Sequence, residues 1–295
     1  MKRFVGLILF FIAVTTHAQI EGAVTGNHWV GTWATAQQPV VRSFMPYNNN
    51  MSGRSVRQIV KVSIGGKQLR LELSNELSRE PLVIRSVYIA HATDSCAIEP
   101  SSAKYLKFNG NYNTVIPAGK SRFSDALTFD LQPLERLAIT INYDKAPRVP
   151  TVHMGSRTTS YILLGVSTPK TSFDKAFRED HWFNISAIDV FDLTAKSIAI
   201  IGNSITDGKN STNNAQNRWP DILSESLQKK HGVTDVGILN LGIGNNRVTL
   251  TGGFGFMARK RFDHDILLQR GVRTVVIFEG VNDIGATPNN KVETV

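Results

Sequence analysis

The hydrophobic pattern changes near Ala195, and this change constrains the fold more than any other feature of the 295-residue chain. Before it, apolar and polar residues alternate in short runs. In LRLELS at 69–74, for example, the three leucines fall on one face. After it, the apolar runs are continuous, which is typical of strands buried on both faces of a parallel sheet. The sequence therefore predicts a β-rich domain over residues 27–192 and an α/β domain over 195–295.

The first of these domains is expected to be β-sandwich-like. Further strand-like runs occur at 82–90, 126–131 and 137–144, each bounded by Gly, Pro, Asn or Asp. Gly65 and Gly66 stand directly before the leucine-rich run and indicate the turn of a hairpin. Several short strands separated by turns are typical of a sandwich.

The second domain contains three continuous apolar runs, at 196–202, 236–242 and 273–280. Between the first two, a helix is expected to open at Pro220 and to end at Gly232, since these residue types suit the two helix ends.

The same helix is expected to present Ile222, Leu223 and Leu227 on one face, and a second helix is expected around 262–269. The resulting β-α-β-α-β order predicts a doubly wound α/β layer structure. Sheets of this kind have about five or six strands. Three strands therefore predict that the domain is incomplete, with a C-terminal part missing.

The N-terminus resembles an export signal. Lys2 and Arg3 precede an apolar run at 4–14, and small residues lead to Ala18. About ten apolar residues are too few to cross a hydrocarbon core that needs about twenty. We therefore expect a signal peptide over 1–18, cleaved after Ala18, and a secreted or periplasmic protein with no integral membrane segment.

The composition excludes several classes of protein. Cys96 is the only cysteine, so no intrachain disulfide can form. The formal net charge is +9, but the basic residues are scattered, with clusters only at Lys229-Lys230 and at 259–261. Without aromatic interleaving or a nucleic-acid motif, this pattern indicates a solvated surface rather than a nucleic-acid partner. No His, Asp and Glu cluster has the spacing of metal ligands, and no cofactor is expected.

Each apolar run of the second domain ends in a polar, glycine-containing turn. The turns are GNSITDG at 202–208, NLGIGNNR at 240–247 and GVNDIG at 280–285. Ligands bind at the carboxyl ends of the strands in open parallel sheets. The convergence of three such turns therefore predicts a site at this edge of the sheet.

Three known motifs do not fit these turns. A phosphate loop needs four residues between its glycines, whereas five lie between Gly202 and Gly208. A dinucleotide fingerprint needs a third glycine where Arg247 stands, and the nucleophile elbow of α/β-hydrolases needs a glycine at Thr206.

A serine hydrolase of another kind remains. Ser204 follows a strand, so its hydroxyl is expected to be exposed beside backbone N–H groups. The Ser204 amide, an amide of the Gly244-Asn245 turn and the Asn282 side chain could donate to an oxyanion. The alternative is that Ser204 and Asn282 only hydrogen-bond their own turns.

The three turns resemble the conserved blocks of the SGNH hydrolases, also called the GDSL esterase/lipase family. RWP at 218–220, with GTWATAQQP at 31–39 and LELSN at 71–75, resembles a secreted branch with a β-rich domain before the hydrolase domain. The resemblance implies a flavodoxin-like hydrolase fold. It also implies Ser204 as nucleophile and Asn282 as an oxyanion donor, with an amide of the second block.

The chain departs from the family in two supporting positions. Asn203 stands where the family has aspartate, and Asn245 stands where the second block has its oxyanion glycine. Asparagine tolerates left-handed backbone conformations, so the Asn245 amide can still serve. Asn203, Asp207 and Asp283 are expected to support the turns.

The third departure concerns the base that Ser204 needs. The family's base lies in a later Asp-x-x-His block, and none follows Asp283. His264 is expected to be a solvated surface residue and His181 to pack beside Trp182. No base is therefore assigned within the chain, which is expected to show almost no turnover as given.

These observations predict a secreted serine esterase that removes acyl, and specifically acetyl, groups from a carbohydrate through an acyl-enzyme on Ser204. One alternative is a carbohydrate-binding protein with an inactive hydrolase remnant. Another is a lipid-ester hydrolase, for which GGFGFM at 252–257 would line an apolar groove. The expected partner is a small-molecule or polysaccharide ester.

Overall fold

The structure is a computed structural model that describes residues 28–288, except 42, 44 and 47–49. The expected signal peptide lies outside the described residues. Within the described ranges, no helix is long and apolar enough to cross a membrane.

Strands dominate the N-terminal part of the chain. In chain order they are β1 (Trp29–Ala34), β2 (Gln38–Pro39), β3 (Arg54–Lys61), β4 (Gly66–Ser74), β5 (Leu82–His91), β6 (Lys104–Tyr105), β7 (Thr114–Ile116), β8 (Ser121–Phe123), β9 (Leu127–Leu131), β10 (Arg136–Lys145), β11 (Thr151–His153), β12 (Ser160–Leu164), β13 (Phe177–Glu179), β14 (Trp182–Phe183) and β15 (Ile185–Phe191). A 3-10 turn spans Pro100–Ser102.

The C-terminal part alternates strands and helices. In chain order it contains β16 (Lys196–Gly202), α1 (Ser204–Asp207), α2 (Trp219–His231), β17 (Val236–Gly242), α3 (Ala258–Phe262), a π turn (Asp263–Leu267), β18 (Val272–Phe278) and α4 (Val281–Ala286).

Two antiparallel sheets face each other across one core in the N-terminal part. One has the order β1-β15-β4-β8 with β9 also on β4, and the other has the order β13-β12-β3-β10-β5-β6 with β7 also on β5. The leucines at 69, 71 and 73 point into the shared core, as their alternation predicts. Ile139 and Ile141 of β10 meet them there from the other sheet.

The hairpin expected at Gly65 and Gly66 is wrong. β3 pairs with β10 and β12, whereas β4 pairs with β15, β8 and β9, so the two strands belong to different sheets. The glycines serve close packing instead. A Cβ on Gly65 would overlap the Leu131 carbonyl, and one on Gly66 would press on Val190.

A small third sheet, of order β14-β11-β2, lies beside the C-terminal part. It pairs His153 with Trp182 and Val152 with Gln38. Its position matters for the site, because residues directly after β11 reach the carboxyl edge of the parallel sheet.

The C-terminal sheet is parallel, with the order β17-β16-β18. Gly202, Gly242 and Phe278 are partners in the register, so the ends of the three strands are aligned. This alignment confirms that the three polar turns share one edge of the sheet.

The two faces of this sheet are covered by different elements. On one face, Trp219 and Leu223 of α2 pack against Ile200 and Ile238. On the other, alanines of the N-terminal part, such as Ala34, join the core of the sheet. Helix α2 ends at Gly232, whose φ of 65° is the left-handed cap that was expected.

Three local expectations for the C-terminal part need correction. Ile222 does not share the buried face of α2 and is 48% exposed. The second helix begins earlier than expected, as α3, and continues as the π turn. Strand β18 is not buried on both faces, and its Ile277 is 65% exposed.

Candidate active site

Ser204 is the first residue of α1, directly after β16. The Asn203 side chain caps the helix, accepting from the Ile205 amide at 3.0 Å and donating to the Phe278 carbonyl at 3.3 Å. An aspartate could not make the second bond, so asparagine suits this position. Gly208, at φ 104°, ends the helix, and its amide donates to the Ser204 carbonyl. The resulting turn is tight and leaves Ser204 half-buried.

The second turn lies against the first. A Cβ on Gly242 would overlap the backbone of Thr206 and Asp207, so only glycine permits this approach. Beyond it, Asn245 adopts the left-handed conformation expected of it, with φ of 53°.

The third turn is tied to the second by side chains. Asn282 Nδ2 donates to the Asn246 carbonyl at 2.8 Å. An amide nitrogen carries two hydrogens, so one remains for a ligand. Asp283 accepts from the amides of Val248 and Thr249, at 2.8 and 2.9 Å, and from that of Leu250.

These amides also set the charge state of Asp283. Burial opposes its ionisation, but the bonds from the Thr249 and Val248 amides outweigh burial and hold the pKa of Asp283 below its ordinary value. Asp283 is therefore a structural anion behind the site, and it does not line it.

A buried arginine connects all three strand ends. Arg261 donates to the Leu241 and Gly202 carbonyls at 2.7 and 3.3 Å, and its Nη2 lies 3.6 Å from Glu279. The basic residues at 259–261 were interpreted as solvated, and for Arg261 that interpretation is wrong. Burial raises the pKa of Glu279 to about 7, although Arg261 opposes the shift.

One open cavity of about 500 Å³ lies over the three turns. Its lining brings together the predicted residues Ser204, Gly244, Asn245 and Asn282, with Asp207. The other two supporting candidates, Asn203 and Asp283, are buried outside the lining. The cavity also contains Phe254, from the segment that was considered for an apolar groove.

Residues 200–294 match the GDSL-like Lipase/Acylhydrolase family. The matched segment is less than half of the chain. The match begins in β16, two residues before the end of the strand that leads into the Ser204 turn, and includes all three turns.

Two solved structures are similar to the chain at a low level. A family two carbohydrate esterase from Cellvibrio japonicus is 10% identical, with 90% of this chain and 71% of that chain covered and a TM-score of 0.22. An acetyl xylan esterase from the rumen bacterium Butyrivibrio proteoclasticus is 12% identical, with 86% and 62% covered and a TM-score of 0.22. These scores are too low to carry an argument. No curated protein matches the chain significantly.

The N-terminal part supplies the other wall of the cavity above the GDSL-like segment. Its lining residues are Gln38, Met154, Gly155, Arg157 and His181. The sequence did not predict this wall, because nothing in the local pattern of β2 or β11 indicates that these strands lie near the carboxyl edge of the parallel sheet.

His153 joins the N-terminal part to the helix that carries Ser204. Its Nδ1 lies 2.8 Å from the Ala36 carbonyl and its Nε2 lies 2.9 Å from Asp207 Oδ1. Both ring nitrogens of His153 are therefore engaged, and neither is directed at Ser204. A Cβ on Gly155 would overlap the Asp207 carboxylate, so the contact is close.

The chain offers two other histidines, His181 and His264, that could be considered as the base for Ser204. His181 lines the cavity, with its Nδ1 2.9 Å from the Met154 carbonyl, so its role is wider than packing beside Trp182. His264 lies outside the lining and is held between Asp265 and Glu76. The hydrogen bonds that His264 donates to Asp265 and Glu76 raise its pKa to about 10, so a protonated His264 is favoured at neutral pH and it does not suit the role of a base.

Proposed function

We propose that this chain is a serine ester hydrolase in which Ser204 is the nucleophile. The observation that carries the proposal is the common lining of one cavity by Ser204, Gly244, Asn245 and Asn282. Ser204 Oγ gives up its proton to a base and attacks the acyl carbon, and the bond to the alcohol oxygen breaks as that oxygen takes up the proton. Water then attacks the acyl group, which leaves as the free acid, and the Ser204 hydroxyl is restored.

The oxyanion of this reaction receives donors from three aligned strand ends. The Ser204 amide lies at the helix start, the Gly244-Asn245 turn presents backbone amides, and the second Nδ2 hydrogen of Asn282 is available. Asn203 and Asp207 fix the Ser204 turn, and the hydrogen bonds of Asp283 fix the segment after Asn245.

The proposed substrate is an acetyl or similarly small acyl ester on a carbohydrate. Polar side chains such as Gln38, Asn245 and Asn282 dominate the open lining, whereas Met154 and Phe254 are its large apolar members. A lipid tail would leave these polar groups without hydrogen bonds, while sugar hydroxyls would satisfy them.

The proposed organisation is a signal peptide over 1–18, a β-sandwich-like domain over 27–192 and a flavodoxin-like GDSL domain over 195–295. On this proposal the protein is secreted or periplasmic, where polysaccharide esters are accessible.

The proposal is tested by acetate release from acetylated xylan and by p-nitrophenyl acetate hydrolysis. Because no base is assigned to Ser204, we expect the unsubstituted chain to show only weak activity in both assays, and we expect Ser204→Ala to abolish that activity because no other group replaces the attacking oxygen. Ser101→Ala changes an exposed serine outside the cavity and serves as the matched control. Release that survives Ser204→Ala would overturn the proposal.

A carbohydrate-binding protein is the second candidate, and the histidine contacts favour it. Within the part of the chain that the structure describes, both ring nitrogens of His153 and of His264 are engaged by partners other than Ser204. Glycan binding that is unchanged in Ser204→Ala, with no acetate release from the unsubstituted protein, would support this candidate.

A further inference from the structure

Two cationic side chains line the cavity, one from each part of the chain. Arg157 belongs to the N-terminal wall and has a left-handed backbone, with φ of 51°. Lys209 follows the Ser204 turn, and its amide donates to the Ser204 carbonyl at 2.8 Å. Both charges therefore lie at the cavity that holds the proposed nucleophile.

Neither cation is paired within the part of the chain that the structure describes. Arg157 Nε is buried and has no hydrogen-bond partner there, and neither residue belongs to an ion pair among the described side chains. Arg218 and Arg261, by contrast, are held by carboxylates and carbonyls. An unsatisfied buried donor is costly, so the Arg157 position is unfavourable without a ligand.

The one carboxylate of the lining does not cancel this charge. Asp207 is engaged by His153, whose Nε2 lies 2.9 Å from Asp207 Oδ1, and it forms no ion pair with Arg157 or Lys209 among the described side chains. The lining therefore keeps the positive charge of Arg157 and Lys209.

We propose that the cavity binds a glycan ester that carries a carboxylate, such as an acetylated uronate, with Arg157 and Lys209 as its anion subsite. This inference rests on the proposed function and names its substrate class. The planar guanidinium can donate two parallel N–H bonds to a carboxylate, and Lys209 adds a second positive charge to the lining of the same cavity.

The test is the binding of trigalacturonate and of a neutral galactotriose, measured by isothermal titration calorimetry. We expect trigalacturonate to bind at least about tenfold more tightly than the neutral sugar, and more weakly as salt rises. Arg157→Gln should lower the ratio of the two affinities about tenfold, while Arg157→Lys should lower it less.

Further variants separate this inference from folding defects and from the proposed function. Lys209→Gln changes an exposed residue and should also reduce the preference, whereas the exposed control Arg148→Gln should not. Ser204→Ala should keep the preference while abolishing ester cleavage. Equal binding of the two sugars, or a preference that is unchanged in both Arg157→Gln and Lys209→Gln, would overturn the subsite whether or not the protein cleaves esters.

Discussion

The two parts of the molecule bury their strands in different ways. The N-terminal part encloses a core between two antiparallel sheets, and that core is built from its own residues. In the C-terminal part, α2 covers one face of the parallel sheet. The other face packs against Ala34, Ala36 and Ala187, which belong to the N-terminal part. The C-terminal sheet is therefore completed by the N-terminal part, and the candidate site lies where the two meet.

Two histidine–carboxylate contacts connect the parts, and they differ in burial. The His153–Asp207 pair is almost fully buried below the cavity. The His264–Glu76 contact lies at the surface, with the His264 side chain 43% exposed. Because solvent screens charges, the buried contact should matter far more to stability than the exposed one.

Removing the Asp207 carboxylate should have the largest effect. Asp207→Ala leaves His153 Nε2 buried without its partner, and loss of one member of a buried pair costs about 3 to 5 kcal/mol. Urea unfolding measures this loss as a lower free energy of unfolding.

The matched control for this change is Asp207→Asn, which keeps the size of the side chain. With Nδ1–H still donating to Ala36, His153 Nε2 can accept from the asparagine Nδ2. Most of the stability should therefore remain. Equal losses in the two variants would show that the pair does not connect the parts as described.

The sequence predicted the strands and the three turns well, because these depend on local patterns. The runs at 196–202 and 236–242 are strands with the expected bounds, and Asn245 has the left-handed backbone that its residue type allows. Five predicted site residues, Asp207 among them, meet in one cavity because parallel strands in register end at one edge.

The sequence could not predict contacts that depend on the tertiary arrangement. Arg261 was interpreted as one of three solvated basic residues, but only the packing of α3 under the strand ends shows that it is buried. His153 is the last residue of the three-residue strand β11, and Arg157 follows that strand. The local sequence of β11 contains no motif that would indicate a site. The Gly65-Gly66 hairpin failed because glycines required for close packing have the same local signature as turn glycines.

A pair of core substitutions should show an intermediate effect and sharpen the difference between the parts. Leu73→Ala removes a fully buried side chain from the N-terminal core and should cost about 2 to 5 kcal/mol. Ile277→Ala, on the exposed side of β18, should change stability by less than about 0.5 kcal/mol. Chemical denaturation of both variants gives the comparison, and a large loss for Ile277→Ala would mean that β18 is covered in solution.

The smallest effect on the free energy of unfolding is expected from the exposed His264 contact. This effect should be visible as a dependence of stability on pH. The pKa of His264 is raised to about 10 by Asp265 and Glu76, from about 6.5 in an unfolded chain. Its contribution is therefore complete below pH 6.5 and is lost as the pH rises through about 10. Since His264 is 43% exposed, the contribution should be only about 0.2 to 1 kcal/mol.

The measurement is the free energy of unfolding between pH 6.5 and 10 for the unsubstituted protein and for His264→Gln. Their difference cancels groups that titrate equally in both, such as Glu279, whose pKa of about 7 also makes stability fall with rising pH. The difference should shrink steadily as the pH rises and as salt is added, because the contact is exposed to solvent. A difference that stays constant with pH would show that His264 contributes packing rather than charge, and the buried His153–Asp207 pair would then be the histidine–carboxylate contact that connects the two parts electrostatically.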